Sequence, residues 1–437
     1  MRSRLLPLLL AACSPAPDDS AAPCPRDTGE PPPVPMTVEL DTEQGDECVA
    51  ICGKITAPGS ARAAWSAESS RDGFLITGRA LDELGRAAFC LPTPLSPGEH
   101  TLAIAVEGEE TALLPLQVRS FGEAFGLPPS EPLAALPWFP EVVGRDDPPL
   151  LSPVPDGWER YSVMMPSTVR FGGTRFLYYA GSETDVFHLG VAYREADDQP
   201  FSRYEGNPIL TPEETGAVDG DWNFYAQNTP EALVVGDAVW LYYNGRAAAE
   251  GGQLSIGLAI SEDGLRFEDH PSSPVFSPTG VPGDFDEASV AHPSVLVRDG
   301  VFHLWYASGT LEIGLALSTD GVSWERYCGN PVLSGRASSW DEGHVKAPEV
   351  VWDGARYLMT YSGCGQGCYQ VGWAASADGT HWIAADEPVI SPTAPPTWNS
   401  YGTQAAFIEP IDGGLRFWYA GTGDGHGAIG TVEALTP

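Results

Sequence analysis

Positive charge is what this 437-residue chain has least of: Lys and Arg total 23 against 59 Asp and Glu, a formal net charge of −36, and only Lys54 and Lys346 are lysines. A field of that sign repels phosphate backbones, so no nucleic acid partner is expected. Long apolar runs are missing too. Beyond the N-terminus, nothing approaches the roughly 18 apolar residues of a membrane span. Cys and His pairs at zinc-ligand spacing are also wanting, so neither a metal site nor a cofactor is expected.

What is present points to packed structure. Hydrophobic residues make up 43% of the chain and 13 are Trp, which argues against disorder. The length is enough for two or three domains with real cores.

The N-terminus reads M-R-S-R-L-L-P-L-L-L-A-A-C, two arginines before a short apolar run that ends in small residues. This is export-signal anatomy. Leu10-Ala11-Ala12-Cys13 resembles the bacterial lipobox, which implies a signal over residues 1–13 and lipidation of Cys13. The expectation is an exported lipoprotein at the bacterial outer membrane or cell surface, a monomer held by its lipid anchor only. Residues 14–35 are Pro-rich and polar, a stiff extended tether. Seven other cysteines agree with an oxidising compartment. Cys364 and Cys368 flank a Gly-Gln-Gly and suggest a hairpin-tip disulfide. Cys90 pairs with Cys48 or Cys52, between which the sequence does not choose.

From 36 to 118, short alternating runs (TVELD, GKITA, GFLITGRAL, HTLAIAVEG, ALLPLQV) are separated by Gly, Pro and acidic turns. That spacing predicts a small β-sandwich. The run LSPGEHTLAIAV resembles the late hairpin of bacterial immunoglobulin-like domains, and a spacer role is expected. Residues 119–147 are too rich in proline for a long helix and read as an ordered linker with one short helix.

Residues 148–437 are built on a repeat. Trp158, Trp222, Phe285 and Trp340 are each followed eight positions later by Pro166, Pro230, Pro293 and Pro348, and a looser copy starts at Trp398 with Ala406 in place of the Pro. After the Pro come an apolar run, a Gly-containing turn and an aromatic run such as FLYYAG, WLYYNG or FWYAG. A third strand follows around IGLALS or VGWAAS, then a turn: SEDGLRF at Ser261, STDGVSW at Ser318 and SADGTHW at Ser376. Asp-Gly makes these turns structural. Four strands per unit repeated five times predict a propeller. The fifth unit lacks its outer strand, and Pro149–Pro153 matches the fourth-strand endings of other units. It is therefore expected to complete the last blade and close the ring.

Taken together, P-x-V-x-x-D-G-x-[YF]-x-x-x-Y followed by I-G-x-A-x-S-x-D-G-x-x-W in a five-unit ring resembles the five-bladed glycoside hydrolases and their relatives: arabinanases, β-xylosidases, invertases, levansucrases and mannoside phosphorylases. The fold class expected is all-β, a five-bladed β-propeller after a small immunoglobulin-like β-sandwich, with a carbohydrate ligand. The resemblance implies an Asp/Asp/Glu triad beside the first-strand prolines. Those positions here hold Met165, Thr229, Ala291 and His292, none of them a carboxylate. Two readings stay open: binding with hydrolysis of glycosidic bonds, or a non-catalytic glycan-binding or surface interaction module. Candidate catalytic acids are Asp286, Glu287, Glu342 and Glu231, since hydrolysis needs one carboxyl to protonate the leaving oxygen and another to activate water or attack. Asp286 shares its column with Glu159, Asn223, Asp341 and Asn399, for which turn capping is the competing role. Candidate ligand-binding residues are Asn228, Lys346 and Gln404, two positions before the Pro column, with Gln227, His292 and His344 nearby. Tyr225 and Tyr401 are candidates for stacking on sugar rings, whereas the Trp column is expected to pack between blades.

Overall fold

A computed structural model describes residues 35–435 except 43, 92–94, 131, 145, 147, 185, 250–251, 366, 368 and 424–425. The export signal, Cys13 and nearly all of the tether lie outside the described residues. The fold is all-β: a β-sandwich followed by a propeller, with helices in the described residues confined to Phe121–Ala124 and Pro212–Thr215. Among these residues no helix is long and apolar enough to cross a membrane.

Each propeller unit is an antiparallel meander, because hairpin connections put sequential strands side by side. Blade 1 comprises Ser162–Phe171, Thr174–Ser182, Phe187–Arg194 and Ser202–Arg203. Blades 2, 3 and 4 repeat this order from the inner strands Ala226–Val235, Val290–Arg298 and His344–Trp352. Blade 5 supplies only Gly402–Ile411, Gly414–Gly423 and His426–Leu435 from the C-terminal end. Its outer neighbour comes from far upstream: Glu141–Val143 pairs antiparallel with Glu433–Leu435, and Leu151 bridges Ile429 as the expected closure requires. Leu189–Ile209, Ile256–Phe276, Ile313–Leu333 and Val371–Ile390 are the same bridge in the other blades. Asp146 adds to the seam by accepting from the Thr431 amide at 2.6 Å and hydroxyl at 2.8 Å. Part of the stretch read as linker is thus a strand of the last blade.

The repeated aromatics have an internal reason. Trp158 lies over Gly181 and Gly190, and Trp222 over Gly245 and Gly257, so close that a Cβ at any of these glycines would stand under 3.0 Å from the ring. Each indole also faces a tyrosine of its own second strand, Tyr179 at 6.0 Å and Tyr243 at 5.4 Å between ring centres. The column therefore packs within its blade, not between blades. Contacts between blades use other groups: the hydroxyls of Tyr178 and Tyr242 donate to the carbonyls of Gly264 and Gly321, and the Trp305 indole to that of Gly379. Each Asp-Gly turn is gripped by the blade before it.

The sandwich is bolted on. Cys52 pairs with Cys90 within it, and Cys48 pairs with Cys328 of blade 3, across 280 residues. Beside that bond the buried Glu47 accepts from the Phe121 amide and the Tyr327 hydroxyl, each at 2.9 Å. Phe121 and Leu127, from the stretch read as linker, sit in one apolar cluster with Trp305, Leu315 and Tyr327. A freely swinging spacer is incompatible with this joint. Cys364 has no disulfide partner among the described residues, and its expected partner Cys368 lies outside them.

Candidate functional site

The five inner strands surround the axis, and each is interrupted at the same place. The residue before the Pro column has a left-handed backbone in every blade: Met165 (φ 54°), Thr229 (47°), His292 (53°), Ala347 (48°) and Ala405 (50°). Positive φ is unfavourable for such residues, and the α regions more so before proline. The register of every inner hairpin slips there, between Met164/Ser167, Asn228/Glu231, Ala291/Ser294, Lys346/Glu349 and Gln404/Phe407. Such bulges re-aim side chains. Here they bring the pre-proline residues and two glutamates around an axial cavity of about 40 Å³, room for roughly two or three waters.

Below the bulges, the residues that follow the Pro column form a belt: Ser167, Glu231, Ser294, Glu349 and Phe407. Ser167 accepts from the Ala232 amide at 3.0 Å, Glu231 from Val295 at 3.2 Å, and Ser294 from Val350 at 3.0 Å. Glu349 takes the Ile408 amide in the same way. Each of the first four blades thus fastens the next. Glu231 and Glu349 also hydrogen-bond to each other, and burial drives both carboxyls well above the usual carboxylate range, so the pair holds a proton. Both carboxyls are fully engaged in this belt, Glu231 also accepting from the Ser167 hydroxyl at 3.3 Å. The acid Glu231 therefore belongs to the girdle of the ring.

The other candidate acids are not brought together with it. Asp286 is buried and accepts from the Tyr306 hydroxyl at 2.9 Å and the Arg326 guanidinium at 2.7 Å. Its column repeats the arrangement in every blade: Glu159 with Tyr179, Asn223 with Tyr243, Asp341 with Tyr361, Asn399 with Tyr419. Asp286 is an internal strut, which corrects its assignment as a catalytic acid. Glu287 is exposed on the loop leading into blade 3 and accepts from the Gly283 amide at 3.0 Å. Glu342 is exposed on the corresponding loop of blade 4.

The mouth is polar in a different way. The side-chain oxygens of Asn228, Thr229 and Gln404 are buried and have no hydrogen-bond partner among the described residues. Lys346 holds the place of Asn228 and Gln404 in the inner strand of blade 4, its ammonium 4.0 Å from the ring centre of Tyr369, and burial lowers its pKa to about 8. Burial, with the charge of Lys346 beside it, pushes His292 down to about 3, so this imidazole is neutral. Gln227 is engaged: its amide donates to the Asn223 carbonyl and its oxygen meets His188 at 2.9 Å. It is a support and not a free ligand group, contrary to the expectation for it. His344 is exposed at the start of the blade 4 inner strand.

Around this mouth runs a partial aromatic rim. Tyr401 is 59% exposed, and Tyr225 lies under the Arg246 guanidinium at 5.7 Å. Tyr161, 43% exposed and edge-on to His426, occupies the same column, as does the small pair Ala288 and Gly343. Sequence reasoning missed Tyr161, though its place three residues after Trp158 matches Tyr225 after Trp222 and Tyr401 after Trp398. It also missed Tyr369, for which no repeat position gave a signal, and read Thr229 only as a position where a carboxylate is lacking.

An all-β ring of this kind is a β-propeller. No protein-family model and no curated protein matches the chain. Among solved structures it is similar to one described as a glycoside hydrolase, with 16% identity and a TM-score of 0.54 over 69% of this chain and 92% of that one. A second belongs to work on mannoside phosphorylases whose family contains glycoside hydrolases that target β-1,2-mannosidic linkages in Candida mannan, with 16% identity and a TM-score of 0.54 over 70% and 98%. A third is the β-1,2-mannobiose phosphorylase of Listeria innocua in complex with β-1,2-mannobiose, with 14% identity and a TM-score of 0.52 over 67% and 96%. At such identities the likeness is one of fold.

Proposed function

We propose that this protein binds a glycan at the propeller mouth and does not hydrolyse it. The observation that carries this reading is the set of buried, unpartnered oxygens of Asn228, Thr229 and Gln404. Leaving such groups unpaired costs about 1–3 kcal/mol each, which a hydroxyl-rich ligand would recover by donating to them. Tyr161, Tyr225 and Tyr401 offer ring faces for sugar stacking. The solved structures of similar fold act on or bind saccharides, which supports carbohydrate as the ligand class. The missing triad and the strut and girdle roles of Asp286 and Glu231 favour binding over catalysis. Two disulfides fit an exported protein, and the lipobox-like Cys13 would supply the membrane anchor of a monomer.

The test is calorimetric binding of arabinan, xylan, fructan and mannan oligosaccharides, with reducing-sugar release measured in parallel. Binding weakened about tenfold by Asn228→Ala or Gln404→Ala without loss of thermal stability is the expected result, since each substitution removes about one hydrogen bond. Turnover that disappears in Glu287→Gln or Glu342→Gln would replace this reading with a hydrolase.

A further inference from the structure

Lys346 is a cation that lacks an anion. In a chain with 59 acidic residues, many of the arginines are ion-paired: Arg203 with Glu159, Arg326 with Asp286, Arg336 with Asp341, Arg416 with Glu433. Among the described residues no carboxylate lies within ion-pairing distance of the Lys346 ammonium, whose close contact is the face of Tyr369. Burial already lowers its pKa to about 8, so the protein pays for keeping a charge there.

The strand ends around it carry no acid. The mouth-facing ends of the inner strands read SVMM (162–165), AQNT (226–229), VAH (290–292), HVKA (344–347) and GTQA (402–405), with no acid among them. The ends of the second strands opposite read AGS (180–182), NGR (244–246), AS (307–308), SGC (362–364) and AGTG (420–423), again without one. The strand ends themselves are therefore free of carboxylates, and acids such as Glu183, Glu287, Glu312 and Glu342 lie on the adjoining loops. At the position equivalent to Lys346 in blades 2 and 5 are acceptors that need donors, Asn228 Oδ1 and Gln404 Oε1. A bare anion would satisfy the lysine and leave both amide oxygens unpaired. A neutral sugar would satisfy the amides and leave the lysine.

We propose that the mouth is specific for an acidic saccharide, a uronic acid residue whose carboxylate is held by Lys346 while its hydroxyls donate to Asn228 and Gln404. This rests on the reading of the mouth as a glycan site. The net charge of −36 opposes the approach of a long polyanion, but its reach is limited to about 8 Å at physiological salt, so the groups in contact decide. Short ligands are therefore the appropriate probes.

The full chain is titrated with short oligogalacturonates and oligoglucuronates and with the neutral galactose and glucose oligomers of the same linkage. At least one acid oligomer is expected to bind about tenfold or more tightly than its neutral counterpart, in keeping with a charge-assisted hydrogen bond. Lys346→Met should abolish that preference, bringing the acid oligomer to the affinity of its neutral counterpart or below, and Lys346→Arg should retain much of it. A thermal midpoint for Lys346→Met at or above that of the unaltered protein checks that the fold is intact. A preference for neutral oligomers, or an acid preference that survives Lys346→Met, overturns the inference and leaves glycan binding standing. Inorganic phosphate competing as well as free galacturonate overturns it too, since that marks a bare-anion site. If no saccharide binds and Asn228→Ala and Gln404→Ala change nothing, the underlying reading fails instead.

Discussion

The proton held between Glu231 and Glu349 should make the ring weaken as pH rises. Both carboxyls lie above their unfolded value of 4.5 in the folded chain because burial disfavours their charged forms. The folded state therefore binds more protons than the unfolded one above that value. The stabilising contribution is complete below pH 4.5 and is lost as pH climbs towards the raised folded values. One proton taken up on folding gives a slope of about 1.4 kcal/mol per pH unit. Between pH 5 and 7 the loss is about 3 kcal/mol, and about 3 °C in Tm for a chain of this size. The perturbation is the double change Glu231→Gln and Glu349→Gln, which keeps the belt's acceptors for the Val295 and Ile408 amides and removes the titration. Thermal unfolding from pH 5 to 8, followed by circular dichroism at constant ionic strength, is the assay. Repulsion within the −36 net charge also relaxes on acidification, so the quantity read is the difference between the two proteins. The double variant should show a flatter profile and gain relative stability as pH rises. Parallel profiles would refute the shared-proton argument.

Two further outcomes follow from the struts and the joint. Arg326→Ala strands the buried Asp286 carboxylate, which now receives the Arg326 guanidinium at 2.7 Å, and should cost about 3 kcal/mol in urea unfolding, with Asp286→Asn in the same background recovering much of it. A loss below about 1 kcal/mol would mean that the Tyr306 hydroxyl alone satisfies the acid. Cys328→Ser removes the bond to Cys48 across 280 residues, a closure that chain entropy values at roughly 5 kcal/mol. It should make the sandwich the first part released by limited proteolysis, whereas an unchanged cleavage pattern would show that the Glu47 and Phe121 contacts suffice.

The sequence by itself determined the ring. The Trp, Pro and Asp-Gly spacing recurs because each blade must repeat the same local packing, indole on glycine and acid under tyrosine, and local rules of that kind are written within some 60 residues. Closure was legible for the same reason: Leu151 carries the signature of a fourth-strand ending, and its bridge to Ile429 places it there. The polar mouth was legible in part, since Asn228, Lys346 and Gln404 fall two positions before the Pro column. Tertiary structure alone decided the rest. Glu231 and Glu349 are far apart in sequence and look like free acids until the bulges turn them into one cavity. Asp286 looked the same until Arg326, forty residues on, closed over it. Cys48 had nearer partners in sequence, yet it meets Cys328 because Glu47 and Phe121 dock the sandwich on blade 3. Which groups are satisfied within the protein and which remain for a ligand depends on contacts across the axis and between blades, and those are fixed only when the ring closes.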